Sequence, residues 1–471
     1  MPPLTPDEAA AVAAVDDEEV LRDLCDLVAI ASVDGTPGEA EVQRWGAVRL
    51  AELGLTVDCW DIDVAAEQRQ PDFPGMEVER ATAVGCVGVT GDATDTPALA
   101  FYGHTDVVPP GDLERWPDAD PFTLRVVDGI GWGRGSCDMK AGVAAALGAV
   151  AAVRRSRVPL AAPLAVHLVS GEEDGGLGAF ATLRRGHRAL ACINGEPTGG
   201  ELILANAGSL TFRLEVPGLA THGSTRSRGV SAVEKFEVVH RRLRELETAR
   251  NATSAPLFEH LDLPWPLSVG VVTAGGWAST VPDLLIAEGR YGVRVGETMD
   301  DAMRIFEAAV TEANEADPWL RDHPVRVSWP GGMFAPGSLP AGHQLQSQVA
   351  ETVTDVVGRR PRAVGGPYGS DLRHYAAAGV PVLQYGPGDV RYAHATDEHV
   401  ALEDVYSCAR VYAVLAVRAC ALIPPQLRKL QGDTPGDTCN LPQLTEGGIS
   451  GSVPDVDDDP ARRLELEHPE V

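Results

Sequence analysis

Apolar positions spaced by three and four run through residues 16–31, where Val20, Leu21, Leu24, Leu27 and Val28 would line one face of a helix. A second helix is predicted over 39–53 and stops at Gly54. Before them, residues 1–15 read as a frayed acidic lead-in. Short strands are predicted at 55–62 and 83–88. The strongest strand is 97–103, an apolar run bounded by Pro97 and Gly103 that delivers His104 at its end. An Ala-rich helix over 139–154 follows. A strand at 163–169 then runs into Ser170-Gly-Glu-Glu-Asp-Gly-Gly176. A helix over 177–185 and a strand at 189–194 lead to Gly195-Glu196-Pro197. Strands, polar loops and helices in alternation are the grammar of an α/β sheet with functional groups at strand ends.

The pattern changes after Gly200. Residues 209–216 alternate, 230–246 read as a long helix, 267–273 and 284–295 as strands, and 299–316 as another helix. That order suggests an α+β insert whose sheet keeps one open face. The α/β grammar resumes with a helix at 344–357, a Gly-rich turn at 365–369, a helix at 371–378, a strand at 380–385 and a helix at 402–422. The fold class expected is therefore α/β, a mixed sheet flanked by helices. One domain would come in two pieces, 1–206 and 321–424, interrupted by the α+β insert 207–320. Residues 425–471, polar, acidic and rich in Pro and Gly, read as a disordered tail.

Charge narrows the function. Sixty-eight acids against 39 bases give −29 over 471 residues. The acidity extends over the whole chain, which disfavours a phosphate backbone as partner, so no nucleic-acid role is expected. No uncharged apolar stretch is long enough for a membrane span. The first twenty residues carry acids and no Lys or Arg, unlike a secretory signal. The eight cysteines form no C-x-x-C pair, in keeping with reduced thiols and a cytoplasmic location.

Several short polar motifs stand at the predicted strand ends. His104-Thr-Asp106 offers an imidazole with a carboxylate two residues on, which could fix the ring; alone it could equally be a surface hydrogen bond. Asp138-Met-Lys140 follows Gly131-Trp-Gly-Arg-Gly135, and alone Asp138 could simply cap a helix. Glu172-Glu173-Asp174 packs three acids together, which calls for solvent, a cation or raised pKa values. Glu196 and, far downstream, His394 complete the set. Carboxylates and imidazoles without thiolates suit a hydrolase with zinc, cobalt or manganese.

Read together, His104-Thr-Asp106, Gly135-Ser-Cys-Asp138-Met-Lys140, Glu172-Glu173, Gly195-Glu-Pro-Thr198, Thr221-His222-Gly-Ser224 and Ala393-His394 resemble, in order and spacing, the di-zinc aminoacylase and carboxypeptidase metallopeptidase family, over about residues 16–423. That family includes acetylornithine deacetylase and succinyl-diaminopimelate desuccinylase, and the Gly-Glu-Pro-Thr form, with Glu rather than Asp at that position, leans toward the acetylornithine deacetylase side. The resemblance implies a zinc-peptidase-like catalytic domain with an inserted lid and dimerisation domain. It also implies two divalent ions sharing Asp138 and a water, one ion on His104 and Glu196, the other on Glu173 and His394. Asp106 would orient His104, and Glu172 would take the water's proton and pass it to the leaving amine. A cis bond is implied at Asp138–Met139. His222 would reach the developing oxyanion, often from a partner subunit. Arg290 would bind a substrate carboxylate, and the turn holding Ser370 and the loop holding Gly388 would shape the pocket. The family's usual Asn before the strand of that Arg is Ser279 here.

The activity this implies is acetylornithine deacetylase-like, the removal of an acyl group from an N-acyl amino acid, with an aminopeptidase, dipeptidase or carboxypeptidase, cleaving short peptides, as the same chemistry on other substrates. The partner expected is a second copy through the lid. A non-catalytic metal-binding homologue has no need of Glu172, and a nucleotide enzyme lacks its P-loop and dinucleotide fingerprints.

Overall fold

The computed structural model describes residues 4–91, 95–253 and 255–421. The expected tail at 425–471 lies outside them. A nine-stranded mixed sheet forms the centre. Its order is Thr56–Asp61, Val84–Val89, Leu164–Val169, Leu99–His104, Cys192–Asn194, Val382–Gln384, Leu202–Asn206 and Gly337–Ser338, with Ala363–Gly366 also on Leu202–Asn206. Leu99–His104 runs parallel to both its neighbours, so its carboxyl end meets the ends of Leu164–Val169 and Cys192–Asn194 at one edge. All three strands are buried throughout, as their apolar sequences require.

The Ala-rich helix Lys140–Ser156 packs on one face with Asp17–Ala29 and Leu402–Cys420. Small side chains let it lie close to the sheet. At Gly142 a Cβ would stand 2.1 Å from the Gly195 carbonyl oxygen, so only glycine fits there. The other face is covered by Leu177–Arg184 and Leu372–Ala377.

The chain leaves this sheet at Ala207 and enters a second, antiparallel one through Gly208–Pro217. That sheet is ordered Leu267–Ala274, Leu284–Val293, Gly208–Pro217 and Arg326–Ser328, with Met333–Phe334 on Gly208–Pro217. Helices Ala232–Asn251 and Met299–Ala316 cover one side around Phe212, Tyr291 and Phe306. It extends beyond the 207–320 span read from sequence, because Arg326–Ser328 and Met333–Phe334 still pair within it.

Three local expectations are corrected. The lead-in is not frayed: Pro6–Ala13 is a helix with Thr5 and Glu8 capping each other, and Glu8 pairs with Arg418. The expected turn at 365–369 begins later, since Gly365 and Gly366 belong to a parallel strand. The long helix after Gly200 runs on to Asn251. No helix among the described residues is long and apolar enough to cross a membrane.

Candidate metal centre

His104 ends its strand fully buried. Its Nδ1 lies 3.1 Å from the Asp106 carbonyl oxygen, which turns Nε2 toward Asp138 Oδ1 at 3.1 Å and Glu196 Oε2 at 3.9 Å. The expected carboxylate contact is looser: Asp106 Oδ1 is 3.7 Å from the ring, while Oδ2 accepts the Glu173 amide at 3.2 Å. Asp106 thus holds the histidine by its main chain and the Glu172–Glu173 loop by its side chain.

Asp138 precedes the Lys140–Ser156 helix, and its peptide bond to Met139 is cis. Glu398 fixes this segment by accepting the Cys137 and Asp138 amides at 2.9 and 3.0 Å, and is itself paired with buried Arg134. Asp138 Oδ2 lies 3.5 Å from His394 Nε2, which stands 3.0 Å from Glu173 Oε2. His394 takes a left-handed φ of 61°, a costly conformation for a non-glycine residue, on a turn pinned by Arg134. Glu196 follows Cys192–Asn194, its turn pressed between Gly142 and Gly386.

Two groups result, His104–Asp138–Glu196 and Asp138–Glu173–His394, with Asp138 in both and ligand atoms within 4.8 Å of one another. Around a tetrahedral ion with bonds of about 2.0–2.2 Å, neighbouring ligand atoms stand about 3.3–3.6 Å apart. The closest pairs here, 3.0 to 3.9 Å, bracket that spacing. With Glu172 the two groups bring four carboxyls together, the charge that two divalent ions would offset. Burial pushes Glu196 and Glu173 up, their proximity to Asp138 adding to it. Burial also works against Asp138, but its hydrogen bonds to His104 and His394 outweigh it and hold the carboxyl low. Hydrogen bonds to Asp138 and Glu173 push His394 up to about 11. The residues fit a pair of hard or borderline cations.

Glu172 is buried beside these groups, and among the described residues its carboxylate has no ion-pair partner. Burial pushes it well up, with His104 opposing. It faces a cleft of about 360 Å³ that also contains Asp138, Glu173, Glu196, His394, Arg290, Tyr368 and Ser370. Arg290 reaches the cleft from Leu284–Val293, where its side chain is exposed, and has no hydrogen-bond or ion-pair partner among the described residues. Ser370 Oγ is occupied by Asn206, Gln384 and the Leu372 amide, so its hydroxyl acts as a strut.

Two predicted residues lie elsewhere. Gly388 faces away from this cleft: at φ 86° a Cβ would meet Cys137 Sγ at 2.8 Å, and the residue borders a separate cavity of about 500 Å³ beside Tyr392 and His399. His222 does not border the cleft of its own chain; it is exposed, with Nδ1 2.7 Å from Ser224 Oγ. Sequence reasoning gave no part to Glu398, Arg80 or Glu77. Glu398 sits four residues after His394, the one positional signal available. Arg80 lies in an irregular segment, yet it is buried against Asp34, Glu39 and Asp174, the residue after Glu173.

The model of peptidase family M20/M25/M40 matches residues 100–418. The chain is 28% identical to N-formyl-4-amino-5-aminomethyl-2-methylpyrimidine deformylase of Bacillus subtilis, over 81% of this chain and 89% of that one. It is 32% identical to succinyl-diaminopimelate desuccinylase of Gluconacetobacter diazotrophicus, over 68% of this chain and 81% of that one. Among solved structures, the dipeptidase Dug1p of Saccharomyces cerevisiae shares the fold, with a TM-score of 0.67, 15% identity, and 88% and 98% of the two chains covered.

Proposed function

The chain belongs to peptidase family M20/M25/M40, metal-dependent hydrolases of amide bonds, and from that premise we propose that it removes the acyl group from an N-acyl amino acid. The observation that carries this reading is that Asp138, Glu173, Glu196 and His394, from two ligand groups that share Asp138, stand at one cleft with the Glu172 carboxyl and the Arg290 guanidinium, neither of them ion-paired among the described residues. The deformylase and desuccinylase names of its relatives favour an acylated amine over a peptide.

In this proposal His104, Asp138 and Glu196 hold one divalent ion, and Asp138, Glu173 and His394 a second, zinc above all, with cobalt or manganese as alternatives. Such ions, when bound, would polarise the scissile carbonyl and acidify water in the site. Arg290 pairs with the substrate carboxylate and sets the amide across the cleft. Glu172 accepts the proton of the attacking water and delivers it to the nitrogen of the departing amine. Asp106 and Glu398 keep the ligand side chains aimed.

A homodimer through the second sheet belongs to the same proposal. Leu267–Ala274 is an edge strand with Val271 and Val272 about half exposed, and Trp277 beyond it is 75% exposed. Pairing there would cover an open edge and leave His222 available to the partner's cleft as an oxyanion donor.

The test is turnover of N-acetylornithine, N-succinyl-diaminopimelate and simple dipeptides by protein loaded with Zn²⁺, Co²⁺ or Mn²⁺. Cleavage of an acyl amino acid in preference to dipeptides is expected; cleavage of dipeptides alone would overturn the reading.

A further inference from the structure

The segment before Arg80 runs as a strap between the catalytic loop and the second sheet. Pro74 accepts the Met333 amide at 3.0 Å, and the Glu77 amide donates to the Asp174 carbonyl at 3.2 Å. The strap carries the Glu77 carboxylate into the cleft that holds Glu172 and Arg290. Glu77 Oε1 is fixed there by the Gly332 amide at 3.0 Å and by Thr211 Oγ1 at 3.4 Å. Thr211 is the cross-strand partner of Arg290, so the carboxylate and the guanidinium are neighbours. Gly331 leaves the room: a Cβ there would be 2.7 Å from Glu77 Oε1 and 2.5 Å from Thr211 Cβ.

Glu77 and Arg290 nevertheless form no ion pair with each other among the described residues, although Arg290 lies in the field of Glu77. Two opposite charges held side by side and unpaired suit a ligand that carries both signs itself. A carboxylate facing the cleft beside the arginine weakens binding of a substrate that offers only a carboxylate, and repels one whose side chain is acidic.

We propose that Glu77 is the specificity-determining residue of the cleft and selects N-acyl amino acids whose side chain ends in a cation. This rests on the deacylase reading, in which Arg290 takes the α-carboxylate of the leaving half. Glu77, next to Arg290, then meets a charge on that same half. A diamino acid acylated at its α-nitrogen places carboxylate and ammonium there together, whereas a dipeptide puts its free ammonium across the scissile bond from its carboxylate. Oε1 is held by the protein and Oε2 is left for the ammonium.

The test compares Nα-acetylornithine, Nα-acetylglutamine and Nα-acetylglutamate as substrates of the metal-loaded full chain, wild type and Glu77→Gln and Glu77→Lys. Wild type should prefer the cationic substrate, then the neutral, then the anionic. Glu77→Gln should lower the ratio of kcat/KM for acetylornithine over acetylglutamine by ~30-fold, most of it in KM, and Glu77→Lys should reverse the order. Calorimetric affinity for ornithine, the product, should fall in parallel. An unchanged ratio in Glu77→Gln, or equal use of all three substrates by wild type, overturns the role of Glu77 and leaves the deacylase reading standing. Cleavage of dipeptides with none of the three acyl amino acids cleaved overturns both.

Discussion

Replacing Arg80 by Met removes the guanidinium that pairs with three buried acids, Asp34, Glu39 and Asp174. Its side chain is 1% exposed, and those of Asp34, Glu39 and Asp174 are 6%, 2% and 4% exposed. Nε and Nη2 donate to Glu39 at 2.9–3.1 Å, Nη2 also to Asp34 at 3.1 Å, and Nη1 to Asp174 at 2.7 Å. Leaving buried carboxyls without their partner costs about 3–5 kcal/mol. The cost depends on pH, with a sign the structure fixes. Burial already pushes Asp34 and Glu39 up, the Asp106 charge adding to both, and at Glu39 Arg80, with the Gly35 amide, opposes the rise. Without the guanidinium these groups rise further; the unfolded chains do not differ, so the folded variant holds their protons more tightly than the folded wild type. Its stability then falls as pH rises above the ordinary carboxylate value, at about 1.4 kcal/mol per pH unit for each proton retained. Urea unfolding followed by tryptophan fluorescence should show the full loss at pH 8 and about 1–2 kcal/mol less at pH 5.5. Because Asp174 continues the loop that carries Glu172 and Glu173, kcat should fall as well. A loss under about 1 kcal/mol at pH 8, or a larger one at pH 5.5, would refute the reasoning.

Two further outcomes are expected. Glu172→Gln should lower kcat by ~100-fold or more while the protein keeps its metal; unchanged turnover would remove Glu172 from its role as proton carrier. His167 is buried and held down at about 3 by that burial, its Nδ1 2.9 Å from the Tyr375 hydroxyl. The unfolded chain therefore takes up a proton below pH 6.5 that the folded chain refuses, costing about 2 kcal/mol of stability by pH 5. His167→Leu should flatten that slope by one proton, and an unaltered slope would contradict it.

How much of this was legible depended on how local the signal was. The strands ending at His104, Val169 and Asn194 are short, mainly apolar segments that run into polar residues, one of them interrupted by His167, and that pattern alone suggests a row of polar groups at one sheet edge. The Pro6–Ala13 helix was also legible, since Thr5, Pro6 and Glu8 spell a capping box, but its acidity was read as disorder. Gly388 was misplaced because a glycine in a loop shows no facing until its φ and neighbours are known. His222 has a clear motif but no cleft to serve in its own chain, and a sequence does not show which copy a side chain acts in. Arg80 and Glu77 lie in a segment with no periodicity. Their importance comes from contacts with Asp174, Thr211 and Gly332, up to 255 residues away, which no local pattern encodes.

Metal stoichiometry tests the central claim most directly. Elemental analysis of the full chain, equilibrated with Zn²⁺ and freed of excess by dialysis, should find two ions per chain. Asp138→Asn should lose both together, since that carboxylate stands between His104 and His394. One ion or none in the wild type, or two retained by Asp138→Asn, would contradict a shared two-ion site.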